Sequence, residues 1–282
     1  MTENTENTTL EENEMSFLEH LEALRWHLIR SVVAVVVVAI AAFVNKSIIF
    51  DAVIFAPKNA DFPTYQWLCQ LSEKLHQWLP DLITKNALCI GQNFPQLQNI
   101  SMAGQFMTHV LVSVVAGLVI TFPYVFWELW RFIKPGMKST EKKYSRGVVF
   151  FSSSLFLMGI LFGYFIIAPL AINFFLTYQI SDAVVNLPTL RTYIATITTI
   201  VMACGIVFEL PVVVYFLTKV GLLTPEFMRK YRKHALVAAL ILSAVITPPD
   251  VFSQLLVSVP LFFLYEISIY VSKMVIRKEE KR

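Results

Sequence analysis

Four long apolar runs interrupt an otherwise polar chain: Trp26–Val44, Phe106–Trp130, Gly147–Ala168 and Tyr193–Leu217. About 20 helical residues cross the roughly 30 Å of a bilayer's hydrocarbon, so each run predicts a membrane-spanning helix. A fifth apolar segment, Ala235–Thr247, is shorter and reaches only about 20 Å at 1.5 Å per residue. A sixth, Val251–Val271, is long enough to cross. Between these two lies Thr247-Pro248-Pro249-Asp250, which no continuous helix contains. The pair therefore predicts a tight hairpin, either spanning a thinned or partly wetted region or re-entering from one side. The pattern as a whole predicts an all-α membrane protein of six transmembrane helices.

The polar stretches between the runs set an orientation. Of the 23 Lys and Arg residues, 18 fall on one side: around the first helix's start, at Arg131, in Lys134–Arg146, in Lys219–Lys233 and from Lys273 onward. The other side holds five: Lys46, Lys58, Lys74, Lys85 and Arg191. The basic side is expected to be cytoplasmic, with both termini there. Residues 1–15, acidic and polar, are expected to form a disordered cytoplasmic tail. They lack the basic and apolar regions of a cleaved signal peptide. The membrane domain is then 16–273, followed by a basic cytoplasmic tail, 274–282. A long periplasmic loop from about 45 to 104 carries Tyr65, Trp67 and Trp78, and Tyr65–Leu79 has the makings of an interfacial helix. The same loop holds Cys69 and Cys89, so a disulfide is expected in that oxidising compartment. Cys204, in mid-helix, is expected to be a packing residue.

Composition supports the membrane reading. The chain is 56% hydrophobic and 15% charged, against about 25% charged in soluble domains. A net charge of +3 with no basic stripe bearing interleaved aromatics gives nucleic acid no footprint. Five scattered histidines and three cysteines show no metal-ligand spacing. No glycine-rich phosphate loop is present, so neither a cofactor nor nucleotide hydrolysis is expected.

The acidic residues carry the candidate chemistry. Ser16 and Glu19 form a capping box that starts the first helix. Phe17, Leu21, Leu24 and Leu28 share one face, and Glu19 and Glu22 share another. These acids either solvate a helix start or accept an arginine side chain. Glu141 is the lone acid in the basic loop after the second helix, where it pairs with a neighbouring Lys or acts as a second carboxylate for a guanidinium. Glu209, in Phe208-Glu209-Leu210-Pro211, lies within an apolar run. A charge there costs about 2.5–3.5 kcal/mol on insertion scales, which makes it a functional candidate, the plainer reading being a hydrogen bond between helices. Glu128 and Glu266 lie near helix ends with easier access to water and rank below Glu209. Asp250 suits an N-cap of the last helix, with Gln254 one turn further in.

These segments, in this order, resemble the TatC family from about Ser16 to Lys273. The resemblance rests on His20-Leu-Glu-Ala-Leu-Arg25, Ala56-Pro57, Phe132-Ile-Lys-Pro135 with Glu141, Phe208-Glu-Leu-Pro211, and Thr247-Pro-Pro-Asp-Val-Phe-Ser-Gln254. It implies a glove-shaped bundle with short helices five and six, in the bacterial inner membrane. It implies a receptor, not an enzyme, for the twin-arginine signal peptides of folded cargo. The residues expected to meet the peptide are Glu19, Glu22, Leu24, Arg25, Phe132 and Glu141. It implies single-span TatA- and TatB-type partners near Glu209, Asp250 and Gln254, a homo-oligomer within a larger complex, and transport driven by the protonmotive force. One departure matters: the family's second adjacent acid is Ala23 here, so that position is not carried over.

Two other classes fit parts of the pattern. A proton-coupled transporter of a small solute would use Glu209 as its proton site; the absence of an internal repeat weakens that reading. A membrane enzyme would need Glu209 and Asp250 as an acid pair, and their positions in the chain place them at different depths.

Overall fold

The computed structural model describes residues 17–78, 88–91, 94–133, 145–181, 183, 186–247 and 251–280. The fold is helical throughout these residues apart from loops and a single bridge between Gln98 and Thr189. Helix α1 is Phe17–Val44, α2 Pro63–Trp78, α3 Gly104–Ile133, α4 Ser145–Phe162 and α5 Ala168–Thr177. Then follow α6 Leu190–Val207, α7 Leu210–Lys219, α8 Pro225–Lys230, α9 Arg232–Ile246 and α10 Val251–Glu280.

Five stretches are long and apolar enough to cross a membrane: Glu22–Val44, Gly104–Ile133, Gly147–Thr177, Leu190–Lys219 and Gln254–Arg277. The sixth helix of the bundle is α9, with 15 residues and about 22 Å of length. Of the two helices expected to be short, α9 is so. Helix α10 instead runs 30 residues, because its apolar stretch passes without interruption into the polar, helix-favouring end that reaches Glu280. Pro260 lies inside it without ending it.

Proline governs how the third and fourth spans are built. The third passes from α4 through a π-helical turn, Gly163–Ile167, into α5. Pro169 has no N–H to offer Phe165, and the freed Phe165 carbonyl accepts the Thr64 hydroxyl instead. The fourth span breaks at Phe208-Glu209, two residues before Pro211, and resumes as α7. The expectation of one continuous helix over Tyr193–Leu217 is corrected accordingly: Glu209 stands at the junction of two helices, not in the middle of one.

Close approach sets the packing. Helix α1 lies antiparallel on α3, and a Cβ on Gly117 would come within 2.8 Å of the Val35 carbonyl. Helix α3 packs on α4 and α6, which pack on each other; a Cβ on Gly159 would stand 2.6 Å from the Cys204 carbonyl. Cys204 itself is a buried free thiol in this seam. The core contains Phe156, Ile167, Ile194, Ile197 and Val257. Helices α7, α8 and α9 pack on α10, where a buried hydrogen bond of 2.8 Å joins Thr218 to Ser272.

The segment between α1 and α3 forms a cap on the far end of the bundle from the start of α1. A π-helical turn, Ile48–Ile54, and a 3-10 turn, Ala56–Lys58, lead into α2. The Tyr65 hydroxyl donates to the carbonyls of Pro57 and Pro169 at 2.8 and 3.2 Å. Burial pushes that phenol well above its usual pKa, so it remains a donor. Gly91 takes a φ of +89° directly beneath the Tyr65 ring, where a side chain has no room. Its N–H donates to Asn173 Oδ1 at 3.2 Å, and Cys69 is joined to Cys89 in a disulfide.

Candidate functional site

The antiparallel packing of α1 on α3 brings the start of one beside the end of the other. The start of α1 carries Glu22 and Arg25, both exposed, and Leu24, which is 37% exposed. Phe132, on the last turn of α3, is half-buried. The side chain of Glu19, together with Glu141 and Asp250, lies outside the described residues.

Beneath the exposed residues sits an acid ranked low from sequence. Glu128 was expected to reach water from its place near a helix end, but only 2% of it is exposed. Helix α1 covers it: His27 Nδ1 and Glu128 Oε2 are hydrogen-bonded across the seam. The Tyr124 hydroxyl donates to Oε1 at 3.0 Å, one turn back on α3, and Arg131 Nη1 stands 3.9 Å from the same oxygen. The His27 ring also meets Phe132 edge-on, with 6.3 Å between centroids. A buried carboxylate is tolerated only when its lone pairs are satisfied, and here they are. The imidazole thus ties the first turns of α1 to the last turn of α3. A sequence signal existed: a histidine in the first apolar helix, and a tyrosine four residues before an acid in the second.

Glu209 is held differently. The Ser152 hydroxyl donates to its Oε2 at 2.7 Å, so α4 bridges to the α6–α7 break. Its other carboxylate oxygen is buried and has no hydrogen-bond partner among the described residues, as is Ser153 Oγ nearby in the chain. Ser152 is seven residues into α4, about 10 Å from its start. That places Glu209 nearer the α1-start end of the bundle than its middle.

Gln254 donates from Nε2 to the Leu240 carbonyl at 3.2 Å, which locks the start of α10 to α9. At the other end of this pair, Arg232 Nη2 and Glu266 Oε2 are 2.6 Å apart. The structure therefore does not gather the sequence candidates into one pocket. It leaves Glu22, Leu24 and Arg25 exposed on the start of α1, sets Phe132 against His27 on the α1–α3 seam, Glu209 on a second seam and Gln254 on a third. No group of three or more His, Cys, Asp or Glu side chains among the described residues is arranged to hold a metal ion.

Five long apolar helices, charged groups exposed at a helix start, a buried acid between two spans and a half-satisfied acid at a helix break define a multi-pass helical membrane protein. The family model for the Sec-independent protein translocase protein (TatC) matches residues 19–260. A TatC protein of Blattabacterium from Periplaneta americana is 41% identical over 269 residues, covering 95% of this chain and 99% of that one. A TatC protein of Desulforapulum autotrophicum is 33% identical over 96% of this chain and 88% of its own. The crystal structure of a twin-arginine translocase receptor, TatC, superposes with a TM-score of 0.61 at 30% identity. It covers 91% of this chain and 99% of that one. The chain belongs to the TatC family and is a component of the twin-arginine translocase. That family consists of protein-translocase components and not of enzymes, and the comparisons do not favour a small-solute transporter.

Proposed function

We propose that this chain is the receptor subunit of its translocase and takes twin-arginine signal peptides on the seam between α1 and α3. The observation that supports the reading most is the His27–Glu128 contact, with Phe132 against the same imidazole, which holds the start of α1 beside the end of α3 while Glu22 and Arg25 stay exposed on that start. A guanidinium is always charged, and its planar fork matches a carboxylate's two oxygens. Glu22 offers one such carboxylate and Glu141 the other, with Glu19 in reserve; Ala23 offers none. Phe132 and Leu24 supply an apolar floor for residues that follow the arginine pair.

Single-span TatA- and TatB-type partners dock along α9 and α10 and beside Glu209. The unmet carboxylate oxygen of Glu209 motivates this placement, because a polar group on a partner helix would satisfy it. The seam and both termini face the cytoplasm in this reading, which the excess of Lys and Arg on that side supports. The copies assemble within a larger complex in the inner membrane, and the protonmotive force drives transport. The test is photocrosslinking from positions 22 and 141 to a signal peptide. Strong crosslinks at both positions, lost when the arginine pair is changed to lysines, are expected. No crosslink from either position, in protein that still exports cargo, would overturn the placement.

A further inference from the structure

The faces of α2 divide by chemistry into three sectors, at about 100° per residue. Tyr65, Leu68 and Ser72 point into the protein and are buried. Gln66, Gln70, Glu73 and Gln77 form an exposed polar sector. Between these two lies a third, with Trp67, Leu71, Lys74 and Trp78 in register. Its tryptophans are 61% and 85% exposed, large apolar surfaces on a helix that is otherwise polar outside.

The height of α2 is fixed by its fastenings. Its first turn is bound to the third span through Thr64 to the Phe165 carbonyl and Tyr65 to the Pro169 carbonyl. About 20 residues of helix, counted from Gly147, exhaust the hydrocarbon thickness, which places Phe165 to Pro169 at the boundary between lipid and water. The Cys69–Cys89 bond and the Leu88 N–H donating to Ser72 Oγ at 3.2 Å then limit the roll of α2 about its axis. Protein lies on one side of the helix and water on another. The remaining sector has the amphipathic composition that suits a headgroup layer, two tryptophans flanking one lysine.

We propose that α2 is an interfacial anchor. Trp67 and Trp78 seat among the glycerol and carbonyl groups of the lipid leaflet at the cap end, and Lys74 lies on a lipid phosphate. The occupant of this face is lipid: the face stands at lipid height, and its amphipathic tryptophan rings and single cation match a zwitterionic or anionic headgroup.

The test uses the full chain in vesicles of phosphatidylethanolamine and phosphatidylglycerol. Lipids brominated near the carbonyl or deep in the acyl chain serve as quenchers, with acrylamide as the aqueous one. The parent is compared with the Trp67→Phe, Trp78→Phe double variant, so that the difference isolates the emission of α2. Both side chains are largely exposed, and thermal unfolding checks that the variant remains folded. The expected result is a difference signal quenched at least twofold by the shallow-brominated lipid, less by the deep one, and little by acrylamide. Quenching by acrylamide without quenching by lipid would place the face in water and overturn the proposal. Protection from all three quenchers would mean that a protein covers the face, and would overturn it equally.

Discussion

Replacing Glu128 with alanine tests whether the buried pair on the α1–α3 seam holds these helices together. The change removes an acid that is 2% exposed and leaves His27 and the Tyr124 hydroxyl facing the space it occupied. Leaving buried polar partners unsatisfied costs about 1–3 kcal/mol. His27 is 18% exposed and Tyr124 38%, so both recover some solvation, and a cost of about 2 kcal/mol is expected. The informative quantity is the coupling between the partners. A double-mutant cycle of Glu128→Ala and His27→Ala, read by equilibrium unfolding in mixed micelles, should return about 1–3 kcal/mol of non-additivity. Glu128→Gln retains shape and one acceptor, and should fall between parent and alanine. If the two alanine costs add within about 0.5 kcal/mol, the residues touch without holding the seam, and the reasoning fails.

Other outcomes follow from the same structure. Glu209→Ala should insert and fold, since among the described residues its side chain loses one hydrogen bond, from Ser152, yet weaken crosslinks to single-span partners and slow export. Unchanged crosslinks and export would leave Glu209 a purely structural role. A periplasmic reporter fused after Arg282 should be inactive, because 18 of 23 basic residues lie on that side; an active one would reverse the topology. Non-reduced peptide mass spectrometry should recover Cys69 joined to Cys89, and breaking that 20-residue closure should destabilise the cap by roughly 3 kcal/mol in the chain-entropy model. Two free thiols in protein isolated from the membrane would contradict it.

The spans were legible in the sequence because hydrocarbon imposes a length and a composition that no other setting does. Pro248-Pro249 likewise marked the end of α9, since proline removes a donor wherever it stands. Glu128 was misjudged for a physical reason. Its nearness to a helix end implies water only when no neighbour covers it, and α1 covers it from a hundred residues away. The break at Glu209 was half visible: Pro211 signalled a lost hydrogen bond, but Ser152 as the acceptor's partner depends on how α4 approaches α6. The cap was the least readable part. Its fastenings, Tyr65 to Pro169 and Gly91 to Asn173, link residues 104 and 82 positions apart and leave no local periodicity.

The central claim is that two carboxylates receive the arginine pair although Ala23 supplies neither. It is tested most directly by signal-peptide binding to Glu22→Gln, Glu141→Gln and Ala23→Glu proteins, and to the Glu22→Gln, Ala23→Glu double variant, at low and moderate salt. A charge-assisted pair contributes about 1.5–3 kcal/mol, so each glutamine variant should bind roughly tenfold or more weakly. The double variant should regain most of that loss, because position 23 lies about 100° round the same helix turn. Glu22→Gln binding as tightly as the parent while Glu141→Gln fails would show that one carboxylate suffices, and would contradict the account.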